Sequence, residues 1–160
     1  MIVVADTSPI NYLIQIDSDH VLPALYGRVL VPSAVVGELR HPRSVAAVRA
    51  WLTRMPSWLE VREVAEAADA RLTRLDAGER QAIQLAKQEH ADLVLMDEKL
   101  GVRLAREEGL AVTGTLGVLV QAANRGLIDI ERVLTALRAT DFRCSPSVLQ
   151  EARRSVKSST

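Results

Sequence analysis

Carboxylates stand at four separate points of this chain where a catalyst could be built. Asp6 closes the apolar run Ile2–Ala5, and the pair Asp97 and Glu98 follows the run "DLVLM". Glu38 lies about two turns into the helical stretch after "VLVP". Glu79 lies in the first turn of a helix beginning near Asp76. No His, Cys or Lys recurs in an equivalent way. Acids gathered at one place repel each other and their pKa values rise. A hard divalent cation removes that penalty, and Mg²⁺ and Mn²⁺ favour oxygen ligands. Such an ion lowers the pKa of a bound water and stabilises charge on a phosphodiester. The chemistry that fits is metal-assisted hydrolysis of a phosphate ester.

Each acid also has a structural reading. Asp6 could cap a helix, but Pro9 suits the first helical position, which makes Ser8 the expected cap and leaves Asp6 free. "DAGE" matches a capping box, with Asp76 as cap and Glu79 at the third helical position. Glu38 sits in the apolar stretch "AVVGELR" and is either a solvated residue or an acid with a partner. One of Asp97 and Glu98 caps the helix that follows, and spacing does not say which.

The elements that must position these residues alternate between strand and helix. "IVVA", "RVLVP", "LEVREV", "DLVLM" and "LAVTG" read as strands. Helical patterns follow them, from about Pro9, in "SAVVGELR", through "EAADARLTRL" and "AGERQAIQLAKQEH", in "KLGVRLAREEG" and in "TLGVLVQAANRG". "DIERVLTALRAT" and "SVLQEARRSV" add two more helices. This rhythm predicts an α/β domain around a mostly parallel sheet. Open parallel sheets place ligands beyond the carboxyl ends of their strands, where Asp6, Asp97 and Glu98 fall.

Composition narrows the classes. The chain is 48% hydrophobic and 25% charged, with no low-complexity tract and no apolar stretch near membrane-spanning length. No signal peptide is expected, and the single Cys144 excludes an internal disulfide and a multi-cysteine zinc site. A cytoplasmic protein is the default. Net charge is zero, but acids outnumber Lys and Arg 12 to 8 over residues 60–108, and the reverse holds, 4 to 7, over 109–160. Between Glu38 and Glu60 no acid occurs, while Arg40, Arg43, Arg49 and Arg54 do. That stretch is either a phosphate-binding surface or a solvated helix face. Aromatic residues are only 3%, so base-stacking platforms are scarce; Trp51 and Trp58 are candidates, or core residues. Two rival chemistries fail. A haloacid-dehalogenase-like phosphatase needs an Asp where Ser8 stands, and no Gly-rich phosphate loop follows any strand.

Taken in order, "VVADTSPINYL", "VPSAVVGEL", "LDAGERQAIQLA", "LVLMDEKLGVRLA" and "VTGTLGVLVQAANRGLI" resemble the successive motifs of PIN-domain proteins, in the prokaryotic branch related to VapC-type toxins. The resemblance implies a three-layer α/β/α sandwich with a mostly parallel central sheet. Residues 1–142 would form the PIN-like nuclease domain, and 143–160 a C-terminal helical extension of it. It implies an endoribonuclease that cuts single-stranded RNA with Mg²⁺ or Mn²⁺. Asp6, Glu38, Glu79 and Asp97 would be the successive catalytic acids and metal ligands. Met96 stands where many members carry a small polar residue, so Glu98 is kept beside Asp97 as a ligand. Thr7, Ser8 and Thr115 flank the acids and could contact a metal water or a phosphate, although Thr115 could equally cap its helix. Arg40, Arg43 and Arg103 are candidate contacts to the RNA. The resemblance further implies a homodimer, silenced by an antitoxin protein whose segment enters the acidic cleft. The alternative is a non-catalytic PIN-fold module that binds RNA or a protein.

Overall fold

The computed structural model describes residues 1–157. Five parallel strands, β1 (Val3–Ala5), β2 (Val29–Pro32), β3 (Leu59–Arg62), β4 (Leu93–Leu95) and β5 (Val112–Thr113), form one sheet in the order β3-β2-β1-β4-β5. Their pairings are parallel throughout, with Val4 opposite Leu30 on one side and Val94 on the other. β1, β2 and β4 are buried on both faces, which is why they read as unbroken apolar runs.

Alternation along each strand divides the core in two. Val3, Ala5, Val29, Val31, Leu93 and Leu95 point into one cluster, with residues of α1 (Thr7–Gln15), α2 (Val21–Tyr26), α3 (Ser33–Leu39), α4 (Ala46–Leu52), α7 (Thr115–Asn124) and α8 (Ile130–Arg138). Val4, Leu30 and Val94 point into the other, with residues of α5 (Ala77–Gln88) and α6 (Lys99–Glu107). The result is the expected three-layer α/β/α sandwich. Strands this short survive by packing, since full burial of a Val or Leu side chain contributes roughly 1.5–3 kcal/mol.

Two local expectations change. "EAADARLTRL" is not a helix: β3 ends at Arg62, irregular chain follows, and only a 3-10 turn forms at Ala70–Leu72, capped by Asp69. Ala and charged residues gave this segment helix-forming composition but no continuous apolar stripe: only Leu72 and Leu75 are buried, and the residues from Ala65 to Ala68 are exposed. The short helix α2 arises in "VLPALY", with no separate signal in the pattern. The C-terminal helix α9 (Pro146–Ser155), capped by Ser145, packs on α7 and α8; residues 158–160 of the expected extension lie outside the described ones. No described helix is long and apolar enough to cross a membrane.

The topology decides where a ligand fits. The chain lays down β1, β2 and β3 outward, then returns to place β4 on the other side of β1. β1 leads into α1 on one face, and β4 into α6 on the other, so a crevice opens between their carboxyl ends.

Candidate metal centre at the sheet switch point

Asp6 sits at the carboxyl end of β1, where its amide donates to Leu95 O at 2.9 Å and its side chain is only 3% exposed. Helix α1 begins at Thr7, so Asp6, not Ser8, is the residue before the helix, and Pro9 is its third residue. The expected start was two residues late. Proline is tolerated anywhere in the first turn, because those amides lack an intrahelical acceptor. The freedom inferred for Asp6 nevertheless stands, for a different reason. Its side chain makes no capping bond, and its buried Oδ1 has no hydrogen-bond partner.

The missing partners are other acids. One carboxylate oxygen each from Asp6, Glu38 and Asp76 lie within 4.8 Å of one another. Glu38 reaches the cluster from α3 and is held there by both oxygens. Its Oε2 accepts from the Thr7 hydroxyl, and its Oε1 accepts from the Gly78 amide at 2.9 Å. A Cβ on Gly78 would fall 2.5 Å from Glu38 Oε2, so only glycine leaves room for this carboxylate. Asp76 caps α5 as expected, with Oδ1 accepting from the Glu79 amide at 2.8 Å. Reading it as a cap alone concealed its place in the cluster. The signal was present in "DAGE", where two acids frame the glycine that admits a third.

Burial and crowding leave their mark on proton affinity. Burial, followed by the charges of Asp76, Glu38 and Asp97, pushes the Asp6 carboxyl up from 3.8 to about 7, with only the Thr7 amide opposing. Glu79 is pushed up from 4.5 to about 8, first by burial and then by Asp76 and Asp6. Asp97 is raised by burial, although Thr115 resists this by bonding both its oxygens. The Thr115 amide donates to Oδ1 at 2.8 Å and its hydroxyl to Oδ2 at 2.6 Å. Crowded acids of which two, Asp6 and Glu79, hold protons near neutral pH are in the electrostatic state a divalent cation relieves.

The remaining candidates fall out as follows. Glu98 is exposed and caps α6 through a long bond from the Leu100 amide (3.5 Å), whereas Asp97 is bonded to Thr115. Its charge still reaches Glu79. The Thr7 hydroxyl is spent on Glu38, and none of the hydrogen bonds among the acids involves Ser8. Thr115 is the first residue of α7, not its cap, and it is fully buried against Asp97, so it faces no substrate. Arg40 and Arg43 are exposed at and beyond the end of α3, apart from these bonds. Arg103 lies on α6, in a groove that Asp97 also lines. Trp51 and Trp58 pack against the core with ring centroids 6.1 Å apart, and Trp51 Nε1 donates to Asp19, so neither is an open stacking platform.

The family model DUF3368, described as a PIN domain, matches residues 2–158. The chain belongs to the PIN-domain family. Among solved structures, this PIN domain is similar to a PilT N-terminus domain protein, SSO1118, from the hyperthermophilic archaeon Sulfolobus solfataricus P2. That likeness has a TM-score of 0.54 at 15% identity over 90% of this chain and 100% of the other, which supports the fold. No curated protein matches the sequence. The donor set of this PIN domain fits a hard divalent cation: all its ligand atoms are oxygens, they crowd one another, and one is buried without a partner.

Proposed function

We propose that this PIN domain is an Mg²⁺- or Mn²⁺-dependent endoribonuclease that hydrolyses phosphodiester bonds in single-stranded RNA. The observation that carries the reading is the convergence of carboxylate oxygens from Asp6, Glu38 and Asp76 within 4.8 Å of one another, together with an Asp6 carboxyl whose buried Oδ1 has no hydrogen-bond partner. Asp6, Glu38 and Asp76 would hold the cation, with Glu79 and Asp97 flanking it. Bound there, the cation supplies neutralisation of the scissile phosphate and a more acidic water.

The chain's own residues then do four things. Asp6, fixed at the end of β1, would offer one carboxylate oxygen alongside those of Glu38 and Asp76. Thr7 and Gly78 clamp Glu38, so its two oxygens are pre-oriented. Thr115 clamps Asp97 in the same manner from the other side of the switch point. Glu79, half-buried at the edge of the cluster and pushed up to about 8, would take the proton of the attacking water in its ionised form, which a bound cation would favour. Glu38 suits that task less, since both its oxygens are engaged.

The likeness of the motifs to VapC-type sequences supports a further reading, that the protein is the toxin of a toxin–antitoxin pair. In that reading it acts in the cytoplasm as a homodimer, and an antitoxin segment covers the acids. A cleavage assay on labelled single-stranded RNA with Mn²⁺, paired with Mn²⁺ calorimetry, tests the nuclease claim. Asp6→Asn is expected to stay folded and lose cleavage by at least about 100-fold. Full metal-dependent activity in that variant would sink Asp6 as a ligand. Neither binding nor cleavage in the wild type would instead favour a non-catalytic PIN-fold module.

A further inference from the structure

Beside Asp97 the surface of α6 opens into a groove of about 530 Å³, lined by Asp97, Lys99, Val102, Arg103, Arg106 and Glu107. Lys99, Arg103 and Arg106 are separated by four and three residues, which sets them along one face of the helix. At about 1.5 Å per residue they extend roughly 10 Å away from Asp97. All three are exposed. Among the described residues the only ion pair they make is Arg103 with Glu107, a loose one at 3.9 Å between two exposed side chains. Asp97 and Glu107 are the two acids of the lining, and the Asp97 oxygens already accept from Thr115, so three cations meet two acids in the groove.

A solvated amphipathic helix is the ordinary explanation for such a face, and it predicts acids interleaved with the bases. The surroundings supply them everywhere else. Residues 60–108 carry 12 acids to 8 bases, yet the groove inverts that balance at the edge of the acid cluster. Elsewhere in the same segment most of the bases are tied up: Arg62 with Glu60, Arg71 with Asp69 and Glu108, Lys87 with Glu108, and Arg80 with Glu66, while Arg74 makes no ion pair among the described residues. Lys99 and Arg106 stand apart from this pattern. Nothing in the packing of α6 requires them, since Leu104 and Ala105 make its buried face.

We propose that this groove is the track for the sugar-phosphate backbone of the RNA strand on one side of the bond to be cut, with Lys99, Arg103 and Arg106 meeting successive phosphates. The proposal rests on the nuclease reading only for the position of the scissile phosphate. It relocates the electrostatic grip from the Arg40–Arg54 stretch, where the Arg49 guanidinium is already committed to Pro42 O. It also gives the acid cluster what it lacks: a positive approach for a polyanion that the acids would otherwise repel.

The test is fluorescence anisotropy of a labelled single-stranded RNA against the full chain in EDTA, across a salt series. Each phosphate contact on a single strand contributes about −0.7 to the slope of log K against log salt. The triple variant Lys99→Gln, Arg103→Gln, Arg106→Gln is expected to flatten that slope by about 2, whatever the RNA sequence. Arg103→Gln alone is expected to flatten it by about 0.7. A control that removes three exposed arginines elsewhere, Arg125→Gln, Arg132→Gln, Arg154→Gln, is expected to leave the slope unchanged. Equal flattening in control and groove variants would mean that only net charge matters, and would overturn the proposal. So would a wild-type slope in the groove variant. A wild type that cleaves RNA while the groove variant keeps its slope sinks the track alone. A wild type that binds with the expected slope and never cleaves sinks the nuclease reading and leaves the track.

Discussion

Replacing Gly78 by alanine alters the site without touching an acid. The new Cβ would lie 2.5 Å from Glu38 Oε2 and 2.8 Å from Glu38 Oε1. Ordinary separations are about 3.5 Å, so the Glu38 carboxylate must retreat by about 1 Å. It cannot do so and keep both its bonds, from the Thr7 hydroxyl and the Gly78 amide. The fold has little reason to object. Gly78 lies in the first turn of α5 with no left-handed backbone angle, and alanine is the better helix former by about 1 kcal/mol. Against this stands the loss of one hydrogen bond to a charged group, about 1.5–3 kcal/mol, part of which water restores at a half-buried carboxylate. The two nearly offset, so the melting temperature should move by less than about 4 °C. Activity should not be spared, because a misplacement of about 1 Å at a reacting centre costs on the order of 100-fold. The measurements are a thermal melt, Mn²⁺ calorimetry and RNA cleavage on one preparation. A folded Gly78→Ala protein that binds Mn²⁺ and cleaves like the wild type would refute the claim that Glu38 works from this clamp.

Two further outcomes follow from the electrostatics and from the second clamp. Asp6 at about 7 and Glu79 at about 8 hold more protons folded than unfolded, so their contribution to stability is complete below about pH 4 and lost as pH rises through those values. The metal-free melting temperature is therefore expected to fall between about pH 5 and 8, and saturating Mn²⁺ to reduce that fall; a flat metal-free profile would contradict it. Thr115→Val removes the hydroxyl that bonds Asp97 Oδ2 while keeping the side chain's shape, so cleavage should drop by about tenfold or more. The acidic limb of the pH–rate profile should move up as the Asp97 carboxyl loses a bond to its charged form, and Thr115→Ser should restore both. An unchanged profile in the valine variant would remove Thr115 as a positioning residue.

Much of the architecture was legible because one physical signal dominates it. β1, β2 and β4 are buried on both faces, and a strand with no solvent face must be written in apolar residues between polar turns. The helices with an apolar stripe, α5 to α9, were readable for the same reason. Where little of a segment is buried the pattern misled, as in the alanine-rich segment before Asp76, which forms only a 3-10 turn and bends.

The site divides along a similar line. Sequence alone determined which residues stand at strand ends and helix starts, because those positions follow from local periodicity and turn chemistry. That put Asp6, Glu38, Glu79 and Asp97 in view, and the Asp76 cap bond besides. Local rules could not say which carboxylates share a volume, since that depends on β4 inserting beside β1 after the chain has moved away to β3. Only the tertiary structure set Asp76 within 4.8 Å of Asp6 and Glu38, put the Glu98 carboxylate on the α6 cap, and bonded the half-buried Thr7 to Glu38 and the buried Thr115 to Asp97. It also opened a groove along α6 that Asp97, Lys99, Arg103 and Arg106 line together. Periodicity is a property of a segment, but a metal site is a property of segments meeting.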